Sequence, residues 1–287
     1  MDGKVCIITG ATGGIGKYTA LALAQKKATV IVVGRNEEKC VRTVEEIQKT
    51  SRNPEVEYLT ADLSSQREIR RMVVDFRKKY SRLDVLVNNV GAAYLKRQMS
   101  VDGIEKTFAL NHLSYFMITN LLLDLLISSA PARIVNVSSG SHFGKRLDFG
   151  DLQLSKGYNA LKAYGKSKFS NVLFTYELDR RLGGTGVTVN AINPSRVATN
   201  IWKEGGGIIG PFASWLITRN AQTPEEGAQG VIYLASSLEV DGVSGKYFRK
   251  KVEMKSDPAT YDQESANRLW EISEEMTGLK IPRTSSL

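Results

Sequence analysis

Tyr164 and Lys168 stand four residues apart in a stretch that reads as helix from Ala163 to Leu182, so both side chains leave one face about a turn apart. That spacing suits acid–base chemistry. A phenol with its ordinary pKa of about 10 is a poor proton shuttle at neutral pH, but a fixed ammonium nearby stabilises the phenolate and is expected to draw that pKa down. Alone, the pair is a common coincidence on amphipathic helices. Its meaning depends on the elements around it.

Short Val/Ile-rich runs alternate with longer amphipathic runs as far as about residue 192. The apolar runs are Val5 to Thr9, Thr29 to Val33, Val56 to Thr60, Val85 to Val87, Arg133 to Val137 and Val187 to Ile192. Helix-like stretches lie between them, near 15 to 28, 36 to 51, 64 to 80, 101 to 127 and 163 to 182. Buried parallel strands read as continuous β-branched runs, and each crossover needs a helix. The pattern predicts an α/β fold, a doubly wound and mostly parallel Rossmann-type sheet, in a single domain spanning 1–287.

The rhythm changes after Ile192. A Gly-rich segment with an apolar middle predicts a substrate flap over about 195–222, followed by a helix with Thr223 as cap, Pro224 first and Glu226 as capping-box acid. A last strand is expected at Lys246 to Phe248. The polar C-terminal tail, about 258–287, reads as helical from Pro258 to Thr277.

Composition narrows the function classes. Two cysteines, Cys6 and Cys40, and two histidines, His112 and His142, leave no material for a disulfide scaffold or a Cys- or His-rich metal centre. The apolar runs Leu121 to Ile127 and Ile208 to Ile217 are shorter than a bilayer span or interrupted, and the first strand begins at Lys4, leaving no room for a leader. The expectation is a cytoplasmic protein. Peripheral membrane contact stays open, as does peroxisomal association, since the terminal Ser-Ser-Leu loosely resembles a peroxisomal address. The net charge of +9 is spread over helix-like segments among acids, which reads as a solvated face, and nothing resembles a nucleic-acid module.

Thr9-Gly10-Ala11-Thr12-Gly13-Gly14-Ile15-Gly16 follows the first strand and opens the first helix. Glycines there let backbone N–H groups approach a pyrophosphate at the positive helix end. The acid usual at the end of the second strand, which would bind a ribose 2′-hydroxyl, is missing; the strand ends Val33-Gly34-Arg35-Asn36. Arg35 suits a forked contact with a 2′-phosphate, which predicts NADP(H) rather than NAD(H).

Together with Asp62, Asn88-Asn89-Val90-Gly91, Asn111, Ser138-Ser139, Tyr164-x-x-x-Lys168 and Asn193-Pro194-Ser195-Arg196-Val197-Ala198-Thr199, these motifs resemble the short-chain dehydrogenase/reductase family, in its order and at its spacing. Within it the chain is similar to the retinol dehydrogenase-like group. That likeness rests on Asn111-His112-Leu113, Arg133 to Ser139, Lys168 to Phe174, Glu226 to Gln229 and Ser244 to Phe248, and on the long interval from Ser139 to Tyr164, which adds a loop at Phe143 to Gly157.

The resemblance implies catalytic roles for four residues. Tyr164 is acid in carbonyl reduction and base in alcohol oxidation; Lys168 lowers its pKa and binds the nicotinamide ribose; Ser139 bonds the substrate oxygen; Asn111 holds a relay water. Ser139 is preferred to Ser138 because alternation at a strand end points one of the two into the site. With Arg35 at the 2′-phosphate, it also implies a cofactor set: Gly10, Thr12, Gly14, Ile15 and Gly16 at the glycine turn, Asp62 and Leu63 at the adenine, Asn89 and Gly91 at its ribose, Tyr164 and Lys168, then Pro194, Val197 and Thr199 toward the nicotinamide. No metal is implied.

Some residues depart from the pattern or admit two readings. Ser195 replaces the glycine usual after Pro194, and Val90 an alanine. His112 reads as a packing residue, while His142 is equally a structural or a substrate-contact residue. The Leu121-Leu122-Leu123-Leu125-Leu126 stripe is core or a homodimer face, and Ile208, Ile209, Phe212 and Trp215 of the flap favour a lipophilic substrate or a membrane surface. The expected function is hydride transfer between NADP(H) and a lipophilic carbonyl or alcohol of retinoid, steroid or xenobiotic type. The alternative is a non-catalytic dinucleotide-binding redox sensor or scaffold.

Overall fold

A computed structural model describes residues 1–195 and 222–281. The apolar runs form one eight-stranded sheet: β1 (Val5–Thr9), β2 (Thr29–Gly34), β3 (Val56–Thr60), β4 (Val85–Asn88), β5 (Ala132–Val137), β6 (Val187–Asn193), β7 (Lys246–Arg249) and β8 (Val252–Met254). Their order is β3-β2-β1-β4-β5-β6-β7-β8, and all neighbours are parallel except β7 and β8. Strand order reverses between β1 and β4. In such sheets the crevice beyond the strands' carboxyl ends at that reversal is where a ligand sits.

Central strands are buried on both faces because helices cover both. One layer holds α1 (Gly14–Gln25), α2 (Glu37–Ser51) and α8 (Pro224–Ser236); their Ile15, Leu23, Val44, Ile47, Val231 and Leu234 pack on Ile8, Val32 and Val87. The other holds α3 (Gln66–Lys79), α5 (Ser114–Leu121), α6 (Leu123–Ser128), α7 (Ala160–Arg181) and α9 (Gln263–Thr277), whose Phe76, Phe116, Leu126, Phe174 and Trp270 cover Ile7, Ile31 and Ile134. The leucine stripe belongs to that core: Leu122, Leu123 and Leu126 are buried, with Leu121 and Leu125 packed against them. Thr223, Pro224 and Glu226 open α8 with the expected capping box. No helix among the described residues is long and apolar enough to cross a membrane.

Three elements differ from the sequence reading. The helix expected over 101 to 127 is broken into α4 (Lys106–Phe108), a π-turn (Ala109–Leu113), α5 and α6. An extra antiparallel strand, β8, follows β7 through a tight turn with Lys250 at φ 59°. The C-terminal helix does not start at Pro258; a 3-10 turn (Pro258–Tyr261) precedes it, and Asp262 caps α9 by accepting from the Ser265 N–H. The flap expected over about 195–222 falls, but for its two ends, outside the described residues.

Candidate active site

At the carboxyl end of β1 the chain turns in left-handed conformations at Gly10 (φ 66°) and Gly14 (φ 55°). A Cβ on Gly10 would lie 2.9 Å from the Val90 Cα, and one on Gly16 would lie 2.5 Å from the Gly10 carbonyl oxygen. Both contacts are with backbone, which has no rotamer through which to yield. Asn89 fixes the turn from β4, its Nδ2 donating to the Thr9 carbonyl at 2.8 Å and the Gly10 carbonyl at 3.3 Å. Gly34 lets Thr12 close over the end of β2, since a Cβ there would meet the Thr12 methyl at 2.5 Å and Cys40 Sγ at 2.8 Å.

The start of α1 differs from those of the other long helices. Asn36, Ser65, Asn159, Thr223 and Asp262 each cap their helix with a side-chain oxygen, whereas α1 has no side-chain cap and no acid in its first turn. Space beside Gly13 is open for 4 Å. First-turn N–H groups left without a capping side chain, at the positive end of a helix, are a site for an anion.

Around this turn, Arg35 is exposed at the end of β2. Asp62 follows β3 and Leu63 is buried; the Asp62 Oδ1 accepts from the Ser64 N–H and hydroxyl, so this carboxylate shapes its own turn. Gly91 lies against the second half of the site, where a Cβ would approach Lys168 Nζ at 3.3 Å and Asn111 Oδ1 at 3.5 Å.

In that second half, α7 is so enclosed that Tyr164 and Lys168 are both buried. Lys168 Nζ donates to the Val137 carbonyl at 2.9 Å and lies 5.4 Å from the Tyr115 ring centre and 5.8 Å from that of Tyr164. Asn111 sits in the π-turn, where it accepts from the Ala92 N–H and donates to the Ala92 carbonyl, both at 2.9 Å, and donates to Ser167 Oγ at 3.0 Å. These two amide bonds tie the π-turn to the loop after β4. Ser138 is turned inward, donating to the Lys168 carbonyl at 2.9 Å, while the Ser139 hydroxyl bonds to Tyr164.

Electrostatics correct one expectation. Burial pushes the Tyr164 phenol up to about 12, with the Ser139 hydrogen bond pulling the other way, and burial brings the Lys168 ammonium down to about 7. The drop expected from the lysine is therefore not seen in the protein alone. Burial disfavours both charged forms, and a lysine near half charge at neutral pH has little field with which to oppose it.

Tyr115 was not among the expected residues. It is fully buried, its hydroxyl donates to the Val90 carbonyl at 2.9 Å, and its ring faces Lys168. The signal was its place four residues after Asn111. Ser167, beside Lys168, was missed as the partner of Asn111 because helical spacing does not reveal a contact between helices. His112 is a packing residue: its Nε2 is 3.0 Å from Ser273 Oγ, Phe108 and Phe174 flank it, and burial lowers its pKa to about 4. Pro194 ends the described part of its loop with Ser195, which adopts the left-handed φ of 71° that suits the glycine it replaces. Arg196, Val197 and Thr199 lie outside the described residues.

With this geometry, the comparisons identify the class. The short chain dehydrogenase profile matches residues 4–206, and the chain belongs to that family of oxidoreductases. It is 40% identical to human retinol dehydrogenase 13 over 98% of this chain and 87% of that one. It is also 40% identical to human polyprenol dehydrogenase, covering 96% and 86%. Among solved structures, an uncharacterized protein from Mycobacterium paratuberculosis superposes with a TM-score of 0.80 at 29% identity, covering 98% and 96% of the two chains. The Pseudomonas aeruginosa RhlG/NADP active-site complex gives 0.71 at 28%, covering 87% and 95%.

Proposed function

We propose that the protein transfers hydride between NADP(H) and a lipophilic carbonyl or alcohol, with Tyr164 as the acid or base. The observation that carries this reading is the hydrogen bond between the half-exposed Ser139 hydroxyl and the buried Tyr164 phenol, with Lys168 held 5.8 Å from the phenol ring centre on the same helix. The uncapped start of α1 and the open space at Gly13 fit a dinucleotide pyrophosphate. Gly10, Thr12, Gly14, Ile15 and Gly16 would hold it, Arg35 the 2′-phosphate, Asp62 and Leu63 the adenine, Asn89 and Gly91 the adjoining ribose, and Lys168 the ribose of the nicotinamide. The RhlG relative was solved with NADP, which supports the same cofactor here.

The nicotinamide, when bound, gives or takes the hydride. The protein's own residues manage the oxygen. Ser139 and Tyr164 donate to it as negative charge develops in reduction, and Tyr164 delivers the proton. A phenol near 12 is fully protonated at neutral pH, ready as the acid in that direction. Oxidation needs the phenolate, which charge on Lys168 favours; Asn111 and Ser167 hold the turn beside that lysine.

A lipophilic substrate is supported by relatives named for retinol and polyprenol and by Phe143, 43% exposed four residues after Ser139. NADPH oxidation on a panel of hydrophobic aldehydes and ketones, run beside NADP+ reduction on the matching alcohols, tests the reading. Turnover in either direction with NADP(H) over NAD(H) is expected. Tight NADPH binding without turnover on any of the panel would favour a sensor or scaffold instead.

A further inference from the structure

His142 is buried, absent from the proposed chemistry, and bonded through both ring nitrogens. It closes the 3-10 turn Gly140–His142 that Ser139 begins. Its Nδ1 lies 2.7 Å from the Ser139 carbonyl, and the Asp257 N–H points to its Nε2 at 3.2 Å. A carbonyl only accepts and an N–H only donates, so the ring is the neutral tautomer with its proton on Nδ1. The Ser139 carbonyl takes a second bond from the His142 N–H at 3.2 Å.

The far side of the ring is anchored as firmly. Asp257 accepts from the Gly144 N–H at 2.7 Å, from Arg146 Nη1 at 3.0 Å and from the Ala259 N–H at 2.9 Å. Its neighbour Ser256 shares a hydrogen bond of 2.7 Å with the Tyr176 hydroxyl, on the same helix as Tyr164. The segment after β8 thus grips the serine turn through His142 and the α7 helix through Tyr176. Phe143 and Tyr247 pack on the imidazole, at centroid distances of 4.1 and 4.9 Å, and the Tyr247 hydroxyl lies 3.5 Å from Nδ1.

Resting on the reading of Ser139 as the donor to the substrate oxygen, we infer that His142 is a positioning residue, which fixes the main chain of Ser139 and so aims its hydroxyl at Tyr164. The Nδ1–H bond is the part that matters for turnover; the Nε2 bond ties the turn to the C-terminal segment. Two substitutions separate them. Asparagine places an amide N–H near the position of Nδ1, and glutamine places an acceptor near that of Nε2.

The experiment measures kcat, KM for NADPH and Tm for the wild type, His142→Asn, His142→Gln and Tyr164→Phe on one hydrophobic carbonyl, together with the nitrogen-15 spectrum of the wild-type imidazole. His142→Asn is expected to keep kcat within about threefold of wild type, and His142→Gln to lose roughly tenfold, with KM for NADPH unchanged in both. The spectrum is expected to show the neutral ring protonated at Nδ1. Equal kcat for wild type and His142→Gln, or equal losses in both variants in step with Tm, overturns the inference, as does a proton found on Nε2. Should the variants not fold, a proton found on Nε2 still overturns the inference. Full turnover by Tyr164→Phe would instead sink the reading of the site itself, leaving the tautomer as a separate result.

Discussion

The two halves of the cleft are built by opposite means. The β1–α1 side is made by leaving side chains out: Gly10, Gly16 and Gly34 each sit where a Cβ would strike a neighbour, and α1 begins without a cap. The β5–α7 side is made by putting polar side chains in, with Asn111, Ser138, Tyr164, Ser167 and Lys168 all buried and bonded. Backbone N–H groups at a helix start bind an anion at any ordinary pH, whereas a buried lysine and phenol change behaviour with their surroundings. One half is thus suited to holding a ligand, and the other to moving a proton.

On the ligand-holding side, the largest effect that would test this contrast comes from adding a single methyl group. Gly16→Ala sets a Cβ against backbone at 2.5 Å, and such overpacking costs about 1–3 kcal/mol. That cost falls on the fold, so Tm is expected to drop by several degrees, and NADPH affinity to weaken by roughly tenfold as the displaced turn moves its N–H groups off the phosphate they would hold. Gly13→Ala meets nothing within 4 Å. Calorimetry on it should show an unchanged Tm with weakened NADPH binding; intact binding would mean that the open space is not where phosphate lies.

The next effect belongs to the other half. With Lys168 near 7 in the protein alone, the site is cationic below that pH and neutral above it. An anionic cofactor therefore meets less attraction as pH rises. The value of kcat/KM for NADPH should fall above about pH 7, approaching tenfold per pH unit if only the charged form binds productively. Lys168→Arg keeps its charge throughout and should flatten that fall, even if its overall rate is lower. A flat profile in the wild type would show the lysine still charged well above neutral pH.

Arg35 carries the smallest expected effect because it is exposed and, on the proposed reading, would meet one phosphate. Arg35→Ala should raise KM for NADPH about tenfold, roughly 1.4 kcal/mol, and leave that for NADH nearly unchanged. Equal changes for both cofactors would remove Arg35 from the discrimination between them.

The same contrast explains what could be read from the sequence. Chain order alone exposes the glycine turn and the continuous β-branched strands, because their requirement is local: a left-handed φ at Gly10, or burial on both faces at Val5–Thr9. The Tyr164 to Lys168 spacing is local too. What joins those residues to their surroundings is not. The π-turn at Ala109–Leu113 is anchored by Asn111 on Ala92, nineteen residues away. His142 meets Asp257 across 115 residues, through a strand, β8, that has no apolar run to announce it. The reversed shift of Tyr164 was hidden for the same reason, since burial is a property of the packed α7 helix and not of its sequence.

The most direct test of the account is to compare Tyr164→Phe with the wild type in two measurements on the same preparation, NADPH binding by fluorescence and single-turnover reduction of a hydrophobic carbonyl. The division of labour described here predicts a Kd for NADPH within about twofold of wild type and a rate lower by roughly 10²- to 10⁴-fold. A variant that reduces the carbonyl at the wild-type rate would contradict it.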